Sequence, residues 1–197
     1  MFQIIGLLFI NLVIIEANQA PRLSPLIDKQ ILNAQSKLKI PCMIRFGTQP
    51  IQFEWLHNES RFENSDDRNH RIEKFDDDSF LIIEKLSIKD SGIYVCIARN
   101  RFGSNRQQTE VLVTVPPSWL VEPKDVHTNG KERYRLECKA DGSPKPTIKW
   151  ITSKGITIES EYLDVDKYRT ANIDSYECVA DNGVGEPLRK AVKVSFM

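Results

Sequence analysis

The heptad Asp90-Ser91-Gly92-Ile93-Tyr94-Val95-Cys96 ends in a cysteine with a tyrosine two residues before it. Side chains two residues apart on an extended strand share a face, so Tyr94 and Cys96 enter one core together. Asp90 and Gly92 suit a tight approach to that strand, and the Tyr94 phenol is expected to hydrogen-bond to backbone just upstream. Ala98 continues the inward face, and Asn100 with Gly103 marks a hairpin into a last strand, Gln107 to Val115. Working upstream, Leu81 and Ile83 point inward on a preceding strand, with Leu86 in the turn after it. Phe53 and Trp55 share the inward face of an earlier strand, and Leu38, Ile40, Cys42 and Ile44 that of the strand before it. Pro41 sits on the outward face and removes one ladder donor.

The pattern occurs twice. Cys42, Trp55 and Cys96 recur as Cys138, Trp150 and Cys178, and Tyr176 precedes Cys178 as Tyr94 precedes Cys96. A Cys…Trp…Cys frame with a tyrosine before the second cysteine is the core of an immunoglobulin-type β-sandwich. The chain therefore resembles two such antiparallel sandwiches in tandem, an all-β protein. The expected boundaries are a signal peptide at 1–17, a first domain at 21–115 and a second at 116–197. The 197 residues, less the targeting segment, leave roughly 90 per domain, near the ~100 of one sandwich. In the second domain Leu136, Cys138, Ile148 and Trp150 fill the core face, while Gly142, Pro144 and Pro146 fix the bend between two strands. Its later half departs from the first. Asn172 and Asp174 stand where the first domain has Asp90 and Gly92, and Cys178 follows Trp150 by 28 residues, against 41 from Trp55 to Cys96. A trimmed or missing middle strand is expected between Trp150 and Tyr176.

Met1 to Ile15 is almost wholly apolar, too short to span a bilayer comfortably, and leads into Glu16-Ala17-Asn18-Gln19-Ala20-Pro21. It reads as a secretory signal peptide cut after Ala17, since a cut after Ala20 would put Pro21 at the scissile bond. No lysine or arginine lies near its start, and an uncleaved anchor is the alternative. No later stretch has the ~18 to 20 apolar residues of a membrane helix, so the chain is expected to be extracellular with no anchor of its own. Four cysteines in that compartment allow three pairings. The repeat selects Cys42 with Cys96 and Cys138 with Cys178, each bridge contributing about 4 kcal/mol through the unfolded chain. Zinc is the competing use, but there is no Cys-x-x-Cys, and His57, His70 and His127 are not at ligand spacing.

The junction Val115-Pro116-Pro117-Ser118-Trp119 leaves almost no linker. Its two prolines stiffen the chain, and Trp119 is either packed between the domains or an exposed contact. With this junction, the Asp90 to Cys96 heptad and the Ala-x-Asn-x-x-Gly hairpins at Ala98 to Gly103 and Ala180 to Gly185, the chain resembles intermediate-set (I-set) immunoglobulin domains. Specifically, it is similar to those of the Down syndrome cell adhesion molecule (Dscam)-like neural adhesion proteins of arthropods. That resemblance implies homophilic cell-cell binding at the plasma membrane, axon guidance and dendrite self-avoidance. The alternative is a freely secreted immunoglobulin protein that captures a heterologous ligand as a decoy or immune factor. The implied partner is a protein, either a second copy on an apposed cell or neurite or a heterologous cell-surface or soluble one.

Charge sets limits on other partners. Of 27 basic and 27 acidic residues, 14 of each lie up to Val115 and 13 of each beyond. Neither half carries a strong field, which argues against a nucleic-acid partner. No Gly-x-Ser-x-Gly elbow, phosphate loop or His-Glu-x-x-His occurs. An enzyme is not expected, and neither are catalytic residues, a cofactor or a metal. The charged segment Arg61 to Asp78 reads as a solvated loop. Its Asp76-Asp77-Asp78 run lacks the spaced ligands of a calcium loop. Arg99, Arg101 and Arg106 with Phe102 form a hairpin tip suited to an acidic or glycan partner or to solvent. Asn58-Glu59-Ser60 is a sequon for N-glycosylation.

Overall fold

The computed structural model describes residues 18–65, 68–128, 133–165 and 175–196, so the expected signal peptide lies outside the described residues. The first half contains β1 (Arg22–Leu23), β2 (Lys29–Asn33), β3 (Leu38–Phe46), β4 (Gln52–His57), β5 (Ser60–Arg61), β6 (His70–Lys74), β7 (Asp78–Ile83), β8 (Gly92–Asn100) and β9 (Gly103–Val121). One sheet has the order β1-β3-β7-β6. The other runs β9-β8-β4-β5, with β2 added in parallel along β9. Period-two alternation turns Leu38, Ile40, Cys42, Phe53, Trp55, Leu81, Ile83, Tyr94, Cys96 and Val111 into one core between the sheets.

Two cross-sheet ties sit side by side in that core. Cys42 on β3 and Cys96 on β8 form a disulfide with a Cα separation of 6.3 Å. Trp55, register partner of Cys96, donates its indole N–H to the Ser79 hydroxyl at 2.9 Å, and Ser79 is the register partner of Cys42. Tyr94 is fully buried and donates its phenol to the Asp90 carbonyl at 2.7 Å. Burial pushes the phenol's pKa up, and the Asp90 charge adds to this. The His57 ring stacks on Tyr94 at 4.4 Å. Asp90 closes a 3-10 turn (Ile88–Asp90), accepting the Ser87 N–H at 2.7 Å and the Ser87 hydroxyl at 2.8 Å. Its other oxygen lies 2.7 Å from His70 Nε2. Burial works against the Asp90 charge, but the bonds to His70 and Ser87 outweigh it and hold the carboxyl below its ordinary value.

The second half contains β10 (Val126–Thr128), β11 (Arg135–Glu137), β12 (Lys139–Ser143), β13 (Thr147–Thr152), β14 (Thr157–Glu159), β15 (Tyr162–Asp164), β16 (Ser175–Asp181) and β17 (Leu188–Phe196). A sheet of order β10-β17-β16-β13-β14 faces β11 paired with β15 and β12 paired with the far end of β9. Cys138 and Cys178 are bonded, with Cα atoms 6.6 Å apart, beside a fully buried Trp150. Trp150 Nε1 has no hydrogen-bond partner among the described residues. The Cys138 N–H donates to the Glu161 carbonyl, so Glu161 holds the register position that Ser79 has in the first domain, and its carboxylate pairs instead with Lys145. Only Ser160 and Glu161 separate β14 from β15, which leaves no room there for a counterpart of β6. Asn172 and Asp174 lie outside the described residues.

Three local expectations need correction. The last strand of the first domain does not stop at Val115, because β9 changes partners there and continues along β12 to Val121. Pro116 and Pro117 fall at a register irregularity opposite Gly142, where no ladder donor is required. A Cβ on Gly142 would lie 2.9 Å from Asn182 Nδ2 and 3.1 Å from the Val115 carbonyl oxygen. Trp119 packs half-buried against the second core rather than between the domains. The segment Arg61 to Asp78 is no simple loop, since it contains β6. Among the described residues no helix is long and apolar enough to cross a membrane.

Reduction of the disulfides is expected to lower the melting temperature of both domains in differential scanning calorimetry; an unchanged trace would contradict the cross-sheet role of the bridges. Trp55→Ala is expected to cost about 3 to 5 kcal/mol in urea unfolding, and a loss under about 1 kcal/mol would mean that Trp55 does not hold the core. Because the Asp90 pKa is lowered on folding, its stabilisation is present above the ordinary aspartate value of 3.8 and is lost as pH falls through the lower folded value. Asp90→Asn is expected to cost about 2 kcal/mol at neutral pH and to flatten that acid limb; a variant that keeps the wild-type acid limb would refute this.

Candidate recognition surface

The outer face of β1-β3-β7-β6 is built by the residues that the alternation excludes from the core. Across one row Pro41, Phe80 and Glu73 are register partners, and across the next stand Lys39, Ile82 and Arg71. Met43, 43% exposed, extends the apolar centre along β3, and Phe75, 60% exposed, meets Phe80 edge-on at 6.0 Å. Lys39 Nζ lies 4.1 Å over the Phe80 ring. Arg71 bridges Glu73 at 3.1 Å and also Glu84, which Lys37 reaches at 3.0 Å. Hydrogen bonds from Arg71 and then Lys37 hold the Glu84 carboxyl below the usual range. The result is an apolar patch bordered by charges of both signs, the composition of a self-complementary contact.

The opposite sheet is more polar. Its outward residues run in rows, Gln52 with Arg99 and Ser104, then Glu54 with Ile97 and Arg106. Arg101 folds back so that its guanidinium stacks 4.5 Å above the Phe102 ring. The expected arginine tip is therefore split: Arg99 and Arg106 face out from the sheet, while Arg101 lies on its neighbour.

Both hairpins carry the same clamp. Asn100 Nδ2 donates to the Gln19 and Thr48 carbonyls at 2.7 and 2.8 Å, and Asn182 Nδ2 donates to the Val115 and Pro144 carbonyls, each at 2.8 Å. The side-chain oxygens accept the Phe102 and Val184 N–H groups. In the second domain this clamp grips the strand arriving from the first.

Asn58 lies in the β4–β5 turn with φ +47°. It is exposed, and Oδ1 accepts the Ile93 N–H at 2.9 Å. Its side chain lies against Gly92, where a Cβ would come within 2.3 Å of Oδ1 and where φ is +150°, which is why glycine stands there. Asp77 accepts from Gln49 Nε2 at 2.6 Å. No group of acidic, histidine or cysteine side chains suited to a metal occurs among the described residues. The alternation pattern identified the core pins Trp55, Trp150, Tyr94 and Tyr176, all at most 1% exposed. It gave no hint of the Met43 and Phe80 patch, whose only signal was apolar residues at outward positions of β3 and β7.

Comparison with known proteins matches residues 21–113 to the immunoglobulin I-set domain and residues 116–182 to a second immunoglobulin domain model. Cell adhesion molecule Dscam1 of Drosophila melanogaster is 30% identical over 168 residues, covering 78% of this chain and 8% of Dscam1. Cell adhesion molecule DSCAM of Homo sapiens is 36% identical over 116 residues, covering 59% of this chain and 6% of DSCAM. The chain thus spans less than a tenth of these curated relatives. A crystal structure of the N-terminal eight immunoglobulin domains of Down Syndrome Cell Adhesion Molecule superposes with a TM-score of 0.71 at 28% identity, over 90% of this chain and 25% of that one. An all-β frame tied by one disulfide per domain, matched over most of its length to a cell adhesion molecule, is non-enzymatic. The chain is a tandem of two immunoglobulin domains, the first of the I-set, related to the Dscam cell adhesion molecules.

Proposed function

We propose that this chain is an extracellular adhesion module that binds a second copy of itself on an apposed cell. Axon guidance and dendrite self-avoidance are the processes it would serve. The observation that carries this reading is its likeness to Dscam1 over 78% of its length. The patch around Met43 and Phe80 supports it. Two copies related by a twofold axis can bury their apolar centres against each other while Lys39 of each approaches Glu73 of the other. Single contacts of this size are weak, and arrays on membranes multiply them. The two disulfides fit an oxidising compartment, at the cell surface or in secreted form.

We further propose that Asn58 carries an N-linked glycan. The modified nitrogen keeps one proton, and Oδ1 still accepts from Ile93, so the sugar is compatible with the turn. It projects from the β4–β5 turn of the opposite sheet and leaves the Met43 face open.

Beads coated with this chain are expected to aggregate with one another, and Met43→Glu is expected to abolish aggregation without changing the melting temperature. Wild-type beads that stay dispersed would reject self-recognition and leave the freely secreted binder of a heterologous ligand as the reading to pursue. The glycan is expected to appear as a band shift on treatment with an N-glycosidase, absent in Ser60→Ala; an unshifted wild-type band from secreting cells would refute it.

A further inference from the structure

On the side of the first domain where its two sheets part lies a cleft of about 490 Å³. One wall is Ile51 and the edge of β4 at Phe53, the other the end of β6 and its turn, Lys74 and Phe75. β5 pairs with β4 only at Leu56 and His57, and the chain leaves that edge after the Phe62 N–H donates to the Trp55 carbonyl at 2.8 Å. Peptide groups alternate in direction along a strand, so Phe53, two residues from Trp55, turns its N–H and carbonyl to the same uncovered side. The edge of β6 is treated differently. The His70 N–H goes to the Ser65 hydroxyl at 2.9 Å and the Ile72 N–H to Asn64 Oδ1 at 2.8 Å. By the same alternation Lys74 turns its N–H into the cleft, beyond this cover. A strand edge left open in this way is a template for a further strand.

The charges distinguish this cleft from a hollow on the β13-β16-β17 side of the second domain. There Lys145, Lys149 and Arg189 are paired with Glu161, Glu159 and Glu177 at 3.4, 3.4 and 3.2 Å. Here Arg61, Lys74 and Arg99 are exposed and make no ion pair among the described residues, with Glu54 the one carboxylate in the lining.

We propose that this cleft takes an extended protein segment in which acidic and apolar residues alternate, added as a strand to the open edge of β4. The alternation follows from the walls. One face of an added strand looks toward Arg61 and Arg99 on the sheet's outer side, and the other looks between the sheets toward Ile51, with Phe75 at the rim. A sulfated oligosaccharide would satisfy the cations but would leave the amide edge and the apolar wall unused. Phe75 borders both this cleft and the Met43 face, but Phe53, Arg61 and Arg99, on which the test is read, belong to the cleft alone, so the proposal stands or falls independently of self-binding.

The test titrates a fluorescein-labelled decapeptide of alternating Glu and Val, blocked at both ends, against the whole oxidised chain, read by anisotropy and by amide exchange in NMR. Saturable binding is expected, with slowed exchange at the Phe53 amide. The Arg61→Glu/Arg99→Glu double variant should lose affinity by about tenfold or more, and Lys149→Glu in the second domain should leave it unchanged. A decapeptide with its Glu and Val in two separate blocks should bind about tenfold more weakly. The Phe53 exchange is read on the wild-type chain and does not depend on the variant folding. No binding of the alternating peptide at millimolar concentration, equal binding of the block peptide, an unprotected Phe53 amide, or binding of a heparin hexasaccharide in place of the peptide would each overturn the proposal.

Discussion

The bond between Cys42 and Cys96 joins one sheet to the other at the centre of the first core, and the remaining contacts arrange themselves around it. Its register neighbours, Trp55 on the Cys96 side and Ser79 on the Cys42 side, meet across the same gap through a hydrogen bond. A covalent tie limits the unfolded chain, whereas the indole fills volume and its N–H finds a buried acceptor, so the two contributions act on different states. Because both ties are perpendicular to the strands, they fix the sheet separation and leave the outward positions of every strand free to vary. That freedom is what allows one scaffold to carry an apolar patch on one face and unpaired cations near the opposite edge.

The second domain repeats the frame with fewer supports. Glu161 replaces the position of Ser79, and the indole of Trp150 is left without a partner among the described residues. Its surface is also more self-satisfied, with Lys145, Lys149 and Arg189 each facing a carboxylate. Exposed pairs of this kind add little stability, but they remove charge that a ligand might otherwise meet. The first domain spends its ion pairs on the face around Arg71 and Glu84 and leaves Arg61 and Arg99 open. Both proposed contacts therefore lie in the first domain.

Much of this was legible in the sequence because a strand with one buried face writes itself as alternation. Leu38, Ile40 and Cys42 announce β3, and Tyr94, Cys96 and Ala98 announce β8, so the core and the tandem count followed from spacing, and the repeated frame selected one cysteine pairing out of three. What stayed hidden depends on neighbours that are distant in sequence. β6 was lost inside a charged run because His70 to Lys74 shows no alternation, being half-buried along most of its length. The continuation of β9 through Pro116 and Pro117 was obscured because prolines ordinarily end a strand, and only the irregularity opposite Gly142 makes them harmless. Neither the Met43 patch nor the open edge at Phe53 has a motif, since each is created by which strand happens to lie alongside.

In both domains an early strand runs parallel to the last strand. Lys29 to Asn33 lies beside Glu110 to Thr114 in the first, and Val126 to Thr128 beside Val194 to Phe196 in the second. A pull applied to the two ends of a domain would load such strands in opposite directions along their own axes. The rungs of a parallel ladder are then loaded in shear and must fail together, whereas a hairpin pulled from its open end peels one rung at a time. With β9 passing unbroken from one sandwich into the next and Asn182 clamping it at Val115, there is no slack at the joint to absorb a pull. The strand arrangement that closes each sandwich would also let the chain resist a pull along its length.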